Sequence, residues 1–209
     1  MTFRIRASSL GKIMTEPKSK DEVLSVGAKT YVEELAKQFV YGFEKEVTSK
    51  EMEKGLIVEQ QCIDLLNEVL FTQFTKNTER KTNDWLTGEC DIFTGRKIHD
   101  IKAPWSLSTF PATVFAGRDR DYEWQLRSYM MLWDVDESEI DYCLVSTPDE
   151  LIRFEPEAIH YVDHIDPMLR VTRVPYKRDK ALEGKIKQKV DAAREYFDLI
   201  VQTIAEEHA

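Results

Sequence analysis

Hydrophobic positions recur along the chain with two periods, and the switches between them outline its elements. In DEVLSVGAKTYVEELAKQFVYG, residues 21–42, Leu24, Ala28, Tyr31, Val32, Leu35 and Phe39 follow a 3.6-residue period that stops at Gly42, which predicts a helix. A second helix is predicted from Thr48 or Ser49 through KEMEKGLIVEQQCIDLLNEVL, with Met52, Leu56, Ile63, Leu66 and Leu70 as its apolar stripe. The N-terminal RIRASSLGKIM reads as a short helix capped by Ser8 or Ser9. Phe71 to Arg80 reads as a strand, and LTGECDIFTGRKIHDIKAP as a hairpin. A loop with Pro104 and Pro111 leads into a helix from about Asp119 to Trp133. IDYCLVST is a buried strand, IRFEPE a further candidate strand, and residues 182–206 a long amphipathic helix with Leu182, Ile186, Val190, Phe197, Ile200, Val201 and Ile204 on its apolar side. Helices, strands, a helix, further strands and a closing helix predict a mixed α/β (α+β) fold.

Polar residues break this pattern in two places. Glu59 lies inside the stripe of the second helix, projecting within about 40° of Ile63 and about 20° of Leu66 at 100° per residue. A carboxylate on a buried face costs several kcal/mol unless something neutralises it. It is either a margin residue paired with a lysine or a metal ligand. The hairpin is the second place. With Gly95-Arg96 as a two-residue turn, Thr94 faces Lys97, Phe93 faces Ile98, Asp91 faces Asp100 and Glu89 faces Lys102. Alternation then sends Glu89, Asp91, Asp100 and Lys102 to one face, and Cys90, Ile92, His99 and Ile101 to the other.

Two carboxylates directly opposite lie about 5 Å apart at Cβ, and at an effective dielectric of 20 they repel by roughly 3 kcal/mol. A shared proton, Lys102 or a divalent cation can relieve that. Oxygen ligands without Cys or His in reach favour Mg²⁺, or Mn²⁺, over Zn²⁺. Carboxylate neighbours raise a lysine pKa, so Lys102 suits electrostatic stabilisation of a phosphate and orientation of a water better than general-base work. On the helix DRDYEWQLRSYMMLWD, Gln125 and Tyr129 share a face with Tyr122 and Leu132. They are a satisfied core pair, or they orient the lysine, a water or a phosphate.

Composition narrows the class. At 209 residues, with 42% hydrophobic residues, the chain reads as one ordered domain spanning 1–209. It shows no apolar run long enough for a membrane span and no signal-peptide core at MTFRIRASSL, which predicts a cytoplasmic protein. Cys62, Cys90 and Cys143 form neither a metal knuckle nor a disulfide framework and read as core thiols; His160 and His164 are a weak zinc pair. The net charge is −9, yet residues 170–189 carry eight Lys or Arg against two acids, so the window is +6 and the remainder −15. That window is a solvated helix face or a phosphate-tracking surface.

Glu59 on a helix, Asp91 on a strand, Asp100-Ile101-Lys102 on the next and Gln125-x-x-x-Tyr129 on the following helix, together with ASSLGKIM at the N-terminus, resemble the PD-(D/E)XK nuclease superfamily. Within it the chain resembles the RecB-type, lambda-exonuclease-like (YqaJ) branch. The resemblance implies a restriction-endonuclease-like core, a central mixed β-sheet flanked by helices. It also implies a Mg²⁺-dependent exonuclease, with Mn²⁺ as a substitute ion. Such an enzyme digests linear double-stranded DNA from 5′ to 3′ and leaves a 3′ single strand for recombination. Asp91 and Asp100 would be metal ligands, Glu59 a further ligand directly or through water, and Lys102 the catalytic lysine, with Gln125 beside them. Ser8 would hold the 5′ phosphate with Arg4 or Arg6, and Tyr129 would contact the substrate side. Asp100 stands where the motif usually has Glu, and Cys90 where it has Pro. Ring-shaped trimers, a single-strand annealing partner and a phage or prophage source in a bacterial host belong to the same resemblance. The competing readings are an endonuclease on the same core and a non-catalytic nucleic-acid-binding protein. Three cysteines disfavour the iron–sulfur relatives.

Overall fold

The computed structural model describes residues 3–45 and 48–209. In chain order the elements are β1 (Ile5–Arg6), a 3₁₀ turn (Ala7–Ser9), α1 (Leu10–Ile13), α2 (Val26–Tyr41), α3 (Lys50–Leu70), β2 (Lys81–Thr82), β3 (Leu86–Gly88), β4 (Ile92–Phe93), β5 (Lys97–Lys102), α4 (Arg120–Trp133), β6 (Glu137–Cys143), α5 (Asp149–Ile152), β7 (Val171–Lys177) and α6 (Lys180–Glu207). The strands form two mixed sheets, β1-β3-β2 and β4-β5-β6-β7. β5 and β6 run parallel with α4 as the crossover between them, while β4 and β7 pair antiparallel at the two edges.

The four-stranded sheet is covered on both faces. Leu126, Tyr129, Met130 and Trp133 of α4 pack on Ile98, Ile140 and Val174. Val58, Cys62, Ile63 and Leu66 of α3 pack on Ile92 and Cys143 on the other face. A further cluster joins Ile5, Leu10, Ile13, Ala28, Val32, Trp124, Ile186 and Val190, tying α1, α2 and α6 to α4. Gly88 permits the closest of these approaches: a Cβ there would lie 2.9 Å from the Cβ of Ala7 and 2.9 Å from Cε1 of Tyr129. All three cysteines are buried and free, as core thiols should be.

Several elements differ from the sequence expectation for identifiable reasons. α2 and α3 are capped by Ser25 and Ser49, which accept from Ala28 N and Met52 N, but Ser9 at the start of α1 makes no side-chain cap. The inward line of α3 begins at Lys54, leaving Met52 (55%) and Leu56 (80%) exposed. Lys54 is fully buried and donates to the carbonyls of Pro104 (2.7 Å), Trp105 (3.1 Å) and Val145 (2.9 Å). Burial lowers its pKa to about 8.

Phe71 to Arg80 is not a strand. Phe71 ends α3 at φ 54, and Asn67 and Asn77 then satisfy the chain with side-chain amides, Asn67 bonding Phe74 and Asn77 bonding Cys90 O. IRFEPE is not a strand either: α5 follows Pro148 and ends at Arg153, φ 53. The basic window divides between β7 and the start of α6, and its cations are largely engaged within the chain. Arg170 pairs with Asp163, Arg173 with Glu139, Arg178 with Asp134 and Glu183, and Lys185 with Glu16, while Lys189 bonds Thr15 O. Lys177 and Lys180 stay exposed.

Lys54 holds the loop after β5 against α3 and β6, so its loss is expected to be costly. Lys54→Met keeps the stem but takes its donor from the carbonyls of Pro104 and Val145, and one of two from that of Trp105, which also accepts from Thr147 Oγ1 at 2.8 Å. It should lower the unfolding free energy by about 2–4 kcal/mol in a urea titration; a change below about 0.5 kcal/mol would show the bonds to be dispensable.

Candidate active site

The hairpin turns where the sequence places it. Gly95 takes φ +85, and the ladder pairs Ile92 with His99 and Phe93 with Ile98, the expected register. The ladder then stops. In place of a further backbone pair, Oδ2 of Asp91 accepts the amide of Ile101 at 2.7 Å, so a carboxylate finishes the edge of β5. The alternation drawn for residues 89 and 90 fails with it. Cys90 packs in the core on the Asp100 side, and Glu89 pairs with Arg80 at 3.3 Å rather than facing Lys102.

Asp100 is the centre of the arrangement. It is 1% exposed, lies on the α4 side of the sheet and pairs in register with Ile140. Its Oδ1 accepts from Nε2 of Gln125 at 3.1 Å, and the same nitrogen donates to the Tyr129 hydroxyl at 3.0 Å. A carboxylate only accepts, so the amide nitrogen must face Asp100. Oδ2 lies 2.5 Å from Nζ of Lys102 but has no directed hydrogen bond. Lys102 is also stacked 4.6 Å over the Tyr122 ring. Burial works against the Lys102 charge, yet Asp100 and Asp91 overcome it and hold its pKa above the ordinary value.

Asp91 faces the opposite balance. Burial, then the charge of Asp100, push its carboxyl up to about 7, against the pull of Lys102 and the Ile101 amide. Glu59 adds to the same push from the margin of α3, where it pairs with Lys76. That margin position is the plainer of its two sequence readings. Drawn toward Lys76, Glu59 does not form a group with Asp91 and Asp100 in which every oxygen lies within 4.8 Å of the others. Direct or water-mediated contact with a shared ion is open to it. Oxygen donors, an undirected buried Oδ2 and an acid held up near neutrality all fit a hard divalent cation.

The remaining candidates sit on the flank. Ser8 is exposed on the 3₁₀ turn that packs against α4. Arg4 donates to Asn83 O at 2.7 Å, and Arg6 is exposed, 3.9 Å from Glu44. Both arginines, with Ser9, Lys12 and Lys45, border a cleft of about 660 Å³. A second cleft, about 480 Å³, opens on Lys102 between Met52, Tyr122 and Trp105. Met52 borders both, so the two adjoin at the start of α3.

One group was missed from sequence. On the far face of the sheet, His99 Nδ1 lies 2.9 Å from Asp141 and 3.2 Å from Glu139, with Lys97 and Arg173 also bound to Glu139. Burial tends to raise the Glu139 carboxyl, but bonds from His99, Lys97 and Arg173 hold it at about 2. The i,i+2 spacing of Glu139 and Asp141 was the available signal. The pair His160 and His164 does not converge: His160 is buried against Thr147 and Glu155, and His164 is exposed.

The βαβ core, with Asp100 and Lys102 on its parallel strand β5 and Asp91 beside them just before β4, has the restriction-endonuclease-like architecture. Comparison with solved structures takes this further. A phage-related exonuclease from Haemophilus somnus 129PT superposes with a TM-score of 0.91 at 34% identity, over 98% of this chain and 97% of that one. The chain belongs to that family of phage-related exonucleases, the lambda-exonuclease-like, YqaJ-type branch of the PD-(D/E)XK superfamily. The alkaline exonuclease LHK-Exo of Laribacter hongkongensis shares the fold at TM-score 0.72 and 16% identity, over 98% of this chain and 93% of that one. Its complex with dAMP superposes at 0.71 and 17%, with the same coverage. No family model matches the chain, and no curated protein matches it in sequence.

The Asp91 balance has a measurable sign. Its folded-state pKa is raised, so the stability it lends the metal-free fold is present below the ordinary carboxylate range and is lost as pH rises through about 7. Asp91→Asn keeps an acceptor for the Ile101 amide and removes the charge. In the presence of a chelator it should raise the thermal midpoint at pH 8, equivalent to about 1–3 kcal/mol, by less at pH 5 and hardly at all at about pH 3. A variant less stable than wild type at pH 8 contradicts this account.

Proposed function

We propose that the protein is a divalent-metal-dependent exonuclease, using Mg²⁺ or Mn²⁺, that degrades linear double-stranded DNA from 5′ to 3′. The observation that carries the reading is Asp100, a buried carboxylate whose Oδ1 is fixed by Gln125 while Oδ2 has only Lys102 beside it. Asp91, held near 7 by the same excess of negative charge, supplies a second oxygen ligand, and Glu59 a third directly or through water.

When bound there, a divalent cation neutralises phosphate charge and lowers the pKa of a coordinated water. The protein groups supply the rest. Gln125, braced by Tyr129, keeps Asp100 from rotating, so Oδ2 stays aimed at the site. In the metal-free chain Asp100 and Asp91 hold the Lys102 pKa above its ordinary value. Lys102 therefore contributes positive charge to the phosphate oxygens as they gain charge, rather than removing a proton. The family resemblance gives Ser8, with Arg4 or Arg6, the role of holding a 5′-terminal phosphate, which would set the polarity; the two arginines border the adjoining cleft, whose serine is Ser9.

The family resemblance supports the remaining parts of the proposal: a 3′ single strand as the product for recombination, a trimeric ring around the duplex, and an annealing protein as partner. It also supports action in the cytoplasm of a bacterial host. Among the described residues no helix is long and apolar enough to cross a membrane.

The test is digestion of linear duplex DNA, end-labelled on one strand, with covalently closed circular DNA as control. Wild type with Mg²⁺ should shorten the 5′-ended strand and spare the circle. Lys102→Ala and Asp100→Ala should each lose about 10³-fold or more in rate. Equal rates in all three proteins would refute the assignment, and cleavage of the circle would indicate an endonuclease.

A further inference from the structure

The far face of the four-stranded sheet holds a second group of ligating side chains. Across the parallel ladder of β5 and β6, His99 pairs in register with Glu139 and Ile101 with Asp141, so strand periodicity turns His99, Glu139 and Asp141 to the α3 side while Asp100 faces α4. One ligating atom from each, a ring nitrogen and two carboxylate oxygens, lies within 4.8 Å of the other two. All three residues are buried, and the Phe74 ring covers the imidazole with centroids 4.8 Å apart.

Neutralisation there is incomplete. Glu139 has Lys97 at 2.5 Å, Arg173 and His99 Nδ1 around it. Asp141 has no exposed surface, yet its Oδ1 accepts no hydrogen bond, and Nε of Arg173, 3.4 Å away, is a charge contact only. A buried carboxylate oxygen without a donor is costly, and metal coordination is one way to satisfy it. The cations now present are also the parts free to leave. The side chains of Lys97 and Arg173 are 24% and 38% exposed, against 3% or less for His99, Glu139 and Asp141, so both can swing to water while the ligands stay in place. Two monovalent cations exchanged for one divalent ion leave the charge of the site unchanged. Coordination takes the Nδ1 lone pair and releases the proton now shared between Nδ1 and Asp141. An imidazole with two carboxylates suits Zn²⁺, unlike the all-oxygen set of Asp91 and Asp100.

We propose that His99, Glu139 and Asp141 form a second metal site, selective for Zn²⁺ over Mg²⁺, which the ion enters by displacing Lys97 and Arg173. This holds or fails independently of the nuclease reading, because none of its ligands belongs to the Asp91 and Asp100 site.

The experiment titrates Zn²⁺ by calorimetry, in excess Mg²⁺, into the full chain as wild type, Asp100→Asn, His99→Gln, Lys97→Met and Arg173→Met, with the thermal midpoint of each as a check on folding and Co²⁺ absorption as a spectroscopic readout of the ligands. Wild type should bind Zn²⁺ despite the Mg²⁺, and Asp100→Asn should match it within about twofold. His99→Gln should lose about tenfold or more in affinity and change the visible Co²⁺ bands. Lys97→Met and Arg173→Met remove a competing cation and should each bind Zn²⁺ about tenfold tighter, a gain that a purely structural ion-pair network would not produce. Zn²⁺ binding that disappears in Asp100→Asn overturns the proposal, as does wild-type affinity in folded His99→Gln. Should His99→Gln fail to fold, the lysine and arginine variants decide: affinity equal to or below wild type in both overturns the displacement and with it the site.

Discussion

A charged carboxylate at the buried end of a parallel strand is the constraint around which the rest of the site is organised. Asp100 on β5 is almost wholly removed from water, and an isolated ion there would cost several kcal/mol. Two contacts offset that cost, and each comes from a different level of the fold. Lys102 lies two residues along the same strand, so strand periodicity alone puts its ammonium on the same face. Gln125 comes from α4, the crossover that joins β5 to β6, so its amide reaches Oδ1 only because the βαβ unit closes over the sheet. The close approach at Gly88 then allows Tyr129 and Ala7 to pack together, which seats α4 and the N-terminal turn at one junction.

The two faces of the sheet both bury acids, and access tells them apart. On the far face, Glu139 and Asp141 are matched by Lys97, Arg173 and His99, and the Glu139 carboxyl is held well below its ordinary range. Asp141 nonetheless keeps a buried Oδ1 without a directed hydrogen bond, and burial with the charge of Glu139 raises its carboxyl. On the near face Asp100 has Lys102 beside it, Glu59 approaches from the margin of α3 paired with Lys76, and Asp91 is pushed up toward neutrality. Both sides therefore hold a raised acid, and what sets the near side apart is the cleft that opens on Lys102.

The fold class and the geometry of the candidate residues were both legible in the sequence. The Gly95 turn fixes register by counting, and register alone brings Asp91 to Asp100 and aligns Lys102 with them. The i,i+4 spacing places Gln125 with Tyr129. What was lost depended on partners distant in the chain. Lys54 breaks the hydrophobic reading of α3 because its ammonium finds carbonyls at Pro104, Trp105 and Val145, about fifty and ninety residues on, which no periodicity reveals. β7 was hidden because Arg173 and Lys177 resemble a solvated cationic face, whereas Arg173 is a sheet residue paired with Glu139 across the ladder. Phe71 to Arg80 has strand composition, but the amides of Asn67 and Asn77 take over the bonding a ladder would have made.

The same pairing logic bears on how an acidic protein could approach a polyanion. Among the cations of residues 170–189, Arg170, Arg173, Arg178 and Lys185 pair with Asp163, Glu139, Asp134, Glu183 and Glu16, while Lys177 and Lys180 are exposed. Arg6, Lys12 and Lys45 stand along the N-terminal cleft; Lys45 pairs with Glu34 at 3.4 Å, and the Arg6 contact to Glu44 is looser, 3.9 Å between exposed side chains. Such a pair is weak in water and easily exchanged for a phosphate. That cleft adjoins the one opening on Lys102 at Met52, so cationic side chains and the buried acids lie along connected surface.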